Sequence, residues 1–172
     1  TASVTNNFNN NLVNIGRTFD PYYYTGFISN LRLTKQVLYS ANTTITTSAL
    51  TTTAAISNGT TLDVSGTASL GADVTTSGTQ TYTGAVTLTG TAATRTLTTT
   101  GAAISFGSTV NSSAGNTNAL TFGAGSGNAS FTGAVGGSAA LSTITNIAGQ
   151  TLTFSDAVTA TTIANYGTLL FN

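Results

Sequence analysis

Apolar and hydroxyl-bearing residues alternate through much of the second half of the chain. In residues 82–88, Tyr82, Val86 and Leu88 share one parity, whereas Thr83 and Thr87 have the other. Successive side chains of a strand point to opposite faces, so the first set points inward and the threonines point to solvent. The pattern predicts short strands that are buried on one face.

A short phrase built from this pattern returns at nearly constant spacing. It consists of an aromatic residue, three mostly small residues and a valine, and its copies begin at Tyr82, Phe106, Phe131 and Phe154. Self-similarity at such a period is typical of solenoids. We therefore predict an all-β fold, a parallel β-helix with about 24 residues per coil. Its predicted structural ladder has an aromatic column, Tyr82, Phe106, Phe131 and Phe154, and a valine column, Val86, Val110, Val135 and Val158.

A second apolar column is predicted in the middle of each unit. Leu97, Leu120 and Ile144 follow one another at nearly the same interval as the aromatic phrase, and Leu169 continues the series. Hydroxyl residues follow the first three directly. Two columns with matching spacing indicate that the repeat is structural.

The chain divides into three parts by pattern. Residues 1–40 hold three of the four basic residues and many aromatic ones, and are predicted to be a jelly-roll-like strand fragment or arm. Residues 41–78 are rich in threonine and loosely periodic, which predicts degenerate β coils. Residues 79–172 are predicted to form the regular solenoid coils.

Composition narrows the classes of function. Only 5% of residues are charged and the formal net charge is zero, against a typical charged fraction of about 25%. The scattered basic residues cannot form a phosphate-binding stripe, so no nucleic-acid partner is expected. No apolar run is long enough to span a bilayer, so membrane insertion is not expected either. A surface rich in Thr, Asn and Gly is associated with extracellular or cell-surface proteins.

Two stretches resemble known families. Residues 26–40, Gly-Phe-Ile-Ser-Asn-Leu-Arg-Leu-Thr-Lys-Gln-Val-Leu-Tyr-Ser, are similar to the closing strands of laminin-G or concanavalin-like jelly-roll domains. Such a domain needs two complete sheets, and too little of the chain precedes the solenoid to supply them. The resemblance therefore implies an incomplete jelly roll and transfers no sugar or calcium site.

The region 79–172 resembles the β-helical stalk repeats of filamentous-haemagglutinin-type bacterial adhesins. The resemblance rests on phrases such as Thr-Tyr-Thr-Gly-Ala-Val-Thr-Leu at residues 81–88 and Gly-Ser-Thr-Val-Asn at residues 107–111. It implies an extended stalk of stacked coils on a cell surface.

Catalytic and metal chemistry find little support. The acidic residues are Asp20, Asp63, Asp73 and Asp156, and only Asp63 and Asp73 are close in sequence. Glycoside hydrolysis needs two facing carboxylates, and aspartate is favoured in turns, so we interpret the four as turn residues. The chain has no His or Cys, which removes the usual base for a serine nucleophile and the usual soft metal ligands. We predict no enzyme activity, no cofactor and no metal.

Three further features have both functional and structural interpretations. The cluster Tyr22, Tyr23 and Tyr24 is either a stacking platform for sugar or packing material. Sequons at Asn42, Asn58, Asn111 and Asn128 allow glycosylation but are also expected by chance in this composition. Thr-x-Thr pairs such as Thr79 and Thr81 are similar to those of ice-binding solenoids, although the array breaks at Ala103 and Asn128.

The leading hypothesis is an extracellular structural protein, a β-solenoid subunit or stalk of a surface fibre or adhesin. Solenoid ends expose unpaired strands and need covering, so other copies of the chain, stacked head to tail as a homo-oligomer or filament, are the expected partners. The alternatives are a carbohydrate-binding adhesin or viral tail-fibre segment, with surface glycans as the partner, and an ice-binding solenoid.

Overall fold

The protein is a parallel β-solenoid of about six turns without helices in its described part, as seen in a computed structural model. The structure describes residues 31–33, 37–38 and 44–172. Every strand pairing in this part is parallel, and the chain visits three sheets in rotation as far as β15, after which single bridges take the place of strands in the first sheet. The predicted all-β parallel β-helix is therefore confirmed.

The first sheet includes the strands that begin at the valine of the repeated phrase. Its order is β1-β4-β7-β10-β13. Parallel bridges from Val110 to Val135 and from Val135 to Val158 continue it for two more coils. Its strands are β1 (Leu31–Leu33), β4 (Leu50–Thr52), β7 (Ala68–Leu70), β10 (Val86–Leu88) and β13 (Val110–Ser112).

The second sheet has seven strands in the order β2-β5-β8-β11-β14-β16-β18. Its strands lengthen from three residues in β8 to six in β16, so this face is broader towards the C-terminal side. Its strands are β2 (Val37–Leu38), β5 (Ile56–Gly59), β8 (Val74–Thr76), β11 (Thr94–Thr98), β14 (Ala119–Phe122), β16 (Leu141–Asn146) and β18 (Ala160–Asn165).

The third sheet also has seven strands, in the order β3-β6-β9-β12-β15-β17-β19. It carries the aromatic column. Its strands are β3 (Thr44–Thr47), β6 (Thr61–Val64), β9 (Gln80–Tyr82), β12 (Ile104–Phe106), β15 (Ala129–Phe131), β17 (Thr151–Phe154) and β19 (Thr168–Phe171).

Coil length varies along the solenoid, with long coils in the middle and short ones on either side. The average is about 21 residues, so the predicted 24 holds for the middle coils only. Register partners in the third sheet show the variation. Short coils separate Ile45 from Leu62, Leu62 from Gln80 and Leu152 from Leu169, whereas long coils separate Gln80 from Ile104, Ile104 from Ala129 and Ala129 from Leu152.

From β6 onward the corner between the third and first sheets keeps a constant length, and the other two corners absorb the variation; the earlier corner from β3 to β4 is one residue shorter. Three residues join β6 to β7, β9 to β10 and β12 to β13. The corner between the first and second sheets grows from residues 71–73 to residues 113–118. The invariant corner is why the aromatic-to-valine phrase recurs so regularly.

Residues 44–78 belong to the same three sheets as the later coils. Val64 and Ala68 enclose a three-residue corner with Gly66 at its centre, and Val64 pairs with Tyr82 in register. The predicted jelly-roll segment lies mostly outside the described residues. Its two described pieces, β1 and β2, pair in parallel with β4 and β5 of the solenoid.

The core is a narrow apolar column enclosed by the three sheets. Tyr82, Val86 and Leu88 are buried, as their shared parity predicts, whereas Thr83 is exposed. Full burial of such an apolar side chain contributes about 1.5–3 kcal/mol to folding. Stacked coils therefore bury a continuous core although each coil alone is too thin to have one.

Candidate functional site

The aromatic column is the most regular feature of the interior. Tyr82 stacks on Phe106 with ring centroids 5.2 Å apart, Phe106 on Phe131 at 4.7 Å and Phe131 on Phe154 at 4.8 Å. Their interplanar angles are between 8° and 13°. The spacing is that of neighbouring strands, since the rings occupy the same register position in successive coils.

Phe171 adds a fifth ring that the sequence pattern did not include. It pairs with Phe154 in register and stacks on it at 5.3 Å. A short coil separates Phe154 from Phe171. The predicted coil length of about 24 residues would place the next ring later in the sequence, so the pattern did not include Phe171. Phe122 also contacts this column, edge-on to Phe131 at 6.3 Å.

The valine column runs beside the rings in the first sheet. Val86 pairs with Val110, and bridges join Val110 to Val135 and Val135 to Val158. The first three are buried and Val158 is partly buried. The structure thus brings all four predicted valines together in one line.

The mid-unit column needs a correction in its register. Leu97 pairs with Phe122 rather than with Leu120, which faces Arg95 instead. Leu120 does pair with Ile144, and all three predicted residues are buried. The predicted partner of Leu97 was two residues too early in the sequence, because the corner that precedes β14 is longer than the corner that precedes β11.

The extension of this column to Leu169 is also wrong. Leu169 lies in β19 of the third sheet, opposite Leu152. Ile163 in β18 is the partner of Ile144. The coil between Ile144 and Ile163 is short, so the matching position comes earlier in the sequence than a constant period predicts.

Gln80 and Tyr82 form a hydrogen-bonded polar pair in the dry centre. The Tyr82 hydroxyl donates to Gln80 Oε1 at 3.1 Å. Gln80 Nε2 donates to the carbonyls of Thr98 at 2.9 Å and Val74 at 3.2 Å, with Thr76 Oγ1 at 3.3 Å. Burial raises the pKa of the Tyr82 phenol well above its usual range, because the phenolate loses solvation in the core.

The Gln80–Tyr82 pair lies where short coils give way to long ones. Gln80 takes a register position that is leucine in the preceding coil and isoleucine in the following one. Its amide bridges from the third sheet to carbonyls of β8 and β11 on the second. A buried polar group must be hydrogen-bonded, and here that requirement joins the two sheets across the step.

Asn118 secures the enlarged corner between the first and second sheets. It is fully buried, and its Nδ2 donates to the carbonyl of Leu88 at 2.9 Å while Oδ1 accepts from the backbone N–H of Ala93 at 2.8 Å. Both partners lie one coil earlier. Ser112 Oγ accepts from Asn118 Nδ2 at 3.0 Å. Hydrogen bonds from the Asn118 side chain to the backbone of the preceding coil therefore take the place of strand pairing in this corner.

A third buried polar cluster lies where coils shorten again. Asn146 Nδ2 donates to Asn165 Oδ1 at 2.7 Å and to the carbonyl of Thr168 at 3.1 Å, both in the following coil. Gln150 Nε2 donates to the carbonyl of Gly127 at 2.7 Å in the preceding coil. The side-chain oxygens of Asn146 and Gln150 have no donor among the described residues. Sequence analysis missed these inward amides because asparagine and glutamine are also common in turns and loops.

The described aspartates do not form a catalytic pair. Asp63 lies in β6 of the third sheet, whereas Asp73 precedes β8 of the second sheet and accepts a hydrogen bond from the backbone N–H of Thr96 at 2.8 Å. Asp156 is exposed in a corner and its Oδ1 accepts from the N–H of Ala157 at 2.7 Å. Within residues 31–33, 37–38 and 44–172, no group of three potential metal ligands occurs.

Arg95, the second residue of β11, is half-buried and is bound by main-chain oxygens. Its Nε donates to the carbonyl of Leu70 at 3.1 Å, Nη1 to that of Thr94 at 3.0 Å, and Nη2 to that of Thr89. Gly90 beside it has φ +106° and leaves no room for a Cβ next to the guanidinium. We interpret the role of Arg95 as structural, because it stabilises the corner between the first and second sheets.

The outer face of the third sheet carries one column of hydroxyls. Thr81, Ser105, Ser130 and Thr153 are register partners over four coils, and the column ends at Leu170. The companion positions include Ala103 and Asn128, as the sequence indicated. Asp20, the Tyr22–Tyr24 cluster and the Asn42 sequon lie outside the described residues.

Comparisons with known protein families, curated proteins and solved structures give no match to this chain. In the described part of the chain, no helix has the length and apolar character needed to cross a bilayer.

Proposed function

We propose that the chain is a non-enzymatic structural segment, a rigid β-solenoid subunit or stalk of an extracellular fibre or adhesin. One observation carries this proposal: two of the sheets run as ladders of seven parallel strands, and a column of stacked rings continues from Tyr82 to Phe171. A solenoid of this kind presents an extended surface and holds distant points at a fixed separation.

The stacking direction supports a mechanical role. Backbone hydrogen bonds between coils run along the solenoid axis, and each inner ring of the aromatic column contacts rings of the coils before and after it. Six turns at about 4.8 Å per coil give a rod of about 30 Å. Pulling two coils apart along the axis requires breaking the hydrogen bonds between them in each sheet and, within the aromatic column, separating two stacked rings.

The described side chains support a passive surface. Asp63, Asp73 and Asp156 lie in different strands or corners and form no pair of carboxylates. The guanidinium of Arg95 donates its hydrogen bonds to main-chain carbonyls. Outward positions are dominated by hydroxyl and amide groups, which remain hydrated with little net charge. This surface supports an extracellular or cell-surface location for the rod.

We further propose that other copies of the chain are its partners, in a head-to-tail homo-oligomer or filament. The support is that strand pairing and ring stacking repeat from coil to coil, so that a coil of another copy can add in the same way. In the last coil described, the ring of Phe171 stacks on Phe154 with one face and is 62% exposed. Tyr166 and Leu170 near it are exposed as well. A further coil carrying a ring at this position would extend the column by the same spacing.

Electron microscopy and solution scattering of the purified chain test the proposal. Filaments, or rods that lengthen with concentration, are expected from the wild type, and Phe171→Ser should shorten them while Thr162→Ser on the exposed outer face should not. Compact monodisperse particles that bind a glycan array would instead support the carbohydrate-binding alternative. Thermal hysteresis would identify an ice-binding solenoid, and a flexible scattering profile would contradict the rod itself.

A further inference from the structure

We infer that Asn58 is a site of spontaneous chemical modification, at which the asparagine is converted to aspartate and isoaspartate. It is the one asparagine in the sequence that precedes a glycine. Glycine has no Cβ, so its backbone nitrogen can approach the preceding side chain with the least steric hindrance. This inference does not depend on the proposed structural function.

The local backbone sets Asn58 apart from its strand. It adopts φ +62°, in the left-handed region that few non-glycine residues occupy. The register between β5 and β8 is irregular here: Ile56 pairs with Val74 and Gly59 with Thr76. Residues 57 and 58 therefore face a single residue, as in a β-bulge, so the regular ladder does not hold Asn58.

The side chain is also free to react. Asn58 is exposed, and its amide makes no hydrogen bond to the residues that the structure describes. Asn111 and Asn128 differ because their side chains are hydrogen-bonded. Asn128 Oδ1 accepts from the N–H of Thr151 at 2.9 Å, and Asn111 Oδ1 accepts from the N–H of Ser138 at 3.0 Å. They precede alanine and serine.

The reaction needs no partner except water. The backbone nitrogen of Gly59 attacks Cγ of Asn58, a nitrogen–carbon bond forms, and the bond from Cγ to Nδ2 breaks. The peptide proton leaves with the departing amide as ammonia, which gives a cyclic imide. Water then opens the imide at either carbonyl, so that the product is aspartate or isoaspartate with one new carboxyl group.

The modification changes both charge and chain geometry. One carboxylate is added to a chain whose formal net charge is zero. The isoaspartyl product also adds a backbone carbon to β5, and the existing bulge is the place where an extra atom disturbs the ladder least. The modified fraction should therefore increase with the age of the protein.

Incubation of the folded chain in mildly alkaline buffer, followed by isoelectric focusing and fragmentation mass spectrometry, tests the inference. Deamidation at Asn58 is expected at least about tenfold faster than at Asn111 or Asn128, equal to about 1.4 kcal/mol in activation free energy. Equal rates at the three positions in the folded chain would overturn it.

Two variants separate the site from its surroundings. Asn58→Gln should abolish the early acidic shift, because the longer side chain closes its ring more slowly, whereas Asn128→Gln should leave the shift unchanged. Gly59→Ala should slow the reaction, although its Cβ would lie 3.1 Å from Thr76 Cγ2. Circular dichroism checks that each variant is folded, and persistence of the shift in a folded Asn58→Gln protein would overturn the inference.

Discussion

The Tyr82 hydroxyl donates a hydrogen bond of 3.1 Å to Gln80 Oε1 in the interior of the solenoid, at the step from short to long coils. The same amide bonds to carbonyls of Val74 and Thr98 on the second sheet. This pair therefore fixes how a short coil and a long one meet.

Removing the hydroxyl should destabilise the protein although the ring remains. Tyr82→Phe leaves a buried amide oxygen without its donor, and we expect a loss of about 1–3 kcal/mol in the free energy of unfolding. Urea denaturation followed by circular dichroism measures this loss.

A double-mutant cycle tests whether the two residues act as a pair. Gln80→Leu combined with Tyr82→Phe should cost less than the sum of the single changes, because each single change leaves one buried oxygen of the other side chain without its partner. Strict additivity would show that Gln80 and Tyr82 act independently.

Stability should fall at alkaline pH through Tyr82. Its folded-state pKa is raised by burial, while an unfolded tyrosine ionises near pH 10. Above that pH the unfolded state binds fewer protons than the folded state, so the free energy of unfolding falls by up to about 1.4 kcal/mol per pH unit. Tyr82→Phe should remove this part of the decline, and an unchanged pH profile in the variant would contradict the assignment.

Truncating a ring in the middle of the aromatic column should be severe. Phe131 is buried between Phe106 and Phe154, at 4.7 and 4.8 Å. Phe131→Ala should cost about 3–5 kcal/mol through lost burial and the cavity left behind. The neighbouring exposed Thr132→Ala serves as the control, with an expected change within about 0.5 kcal/mol. A similar small loss for both would show that the column does not carry the core.

The constant corner should not tolerate a side chain at its centre. A Cβ on Gly84 would lie 2.3 Å from the carbonyl oxygen of Gly66 in the preceding coil. Gly84→Ala should therefore cost about 1–3 kcal/mol. At Gly137 the nearest atom to a new Cβ is 3.6 Å away, so Gly137→Ala should be close to neutral. Melting temperatures of the two variants decide the comparison.

The regular part of the fold was predictable because one corner has a constant length. Tyr82 and Val86 enclose a corner of the same length as Phe131 and Val135, so the phrase between them repeats visibly. The same corner occurs between Val64 and Ala68, but a short coil separates it from the next copy. This corner therefore falls outside the longer period of the later copies.

The buried amides were not predictable from residue type. Asparagine and glutamine are also common in turns and loops. Only contacts with neighbouring coils show that the side chains of Asn118 and Gln150 are buried. The misassigned register of Leu97 has a related cause, since two inward residues of β14, Leu120 and Phe122, fit the pattern equally well. Sequence spacing cannot distinguish them when the preceding corners differ in length.

By itself, the sequence determined the fold class, four of the five stacked rings and the valine column, because side-chain parity and a recurring corner are local properties of the chain. Only the tertiary structure decided the coil lengths, the register of the second sheet and the buried amides that join unequal coils. The physical reason is that corner length and hydrogen-bond partners are set by the coil stacked above or below, which lies a whole coil away in sequence and about 4.8 Å away in space.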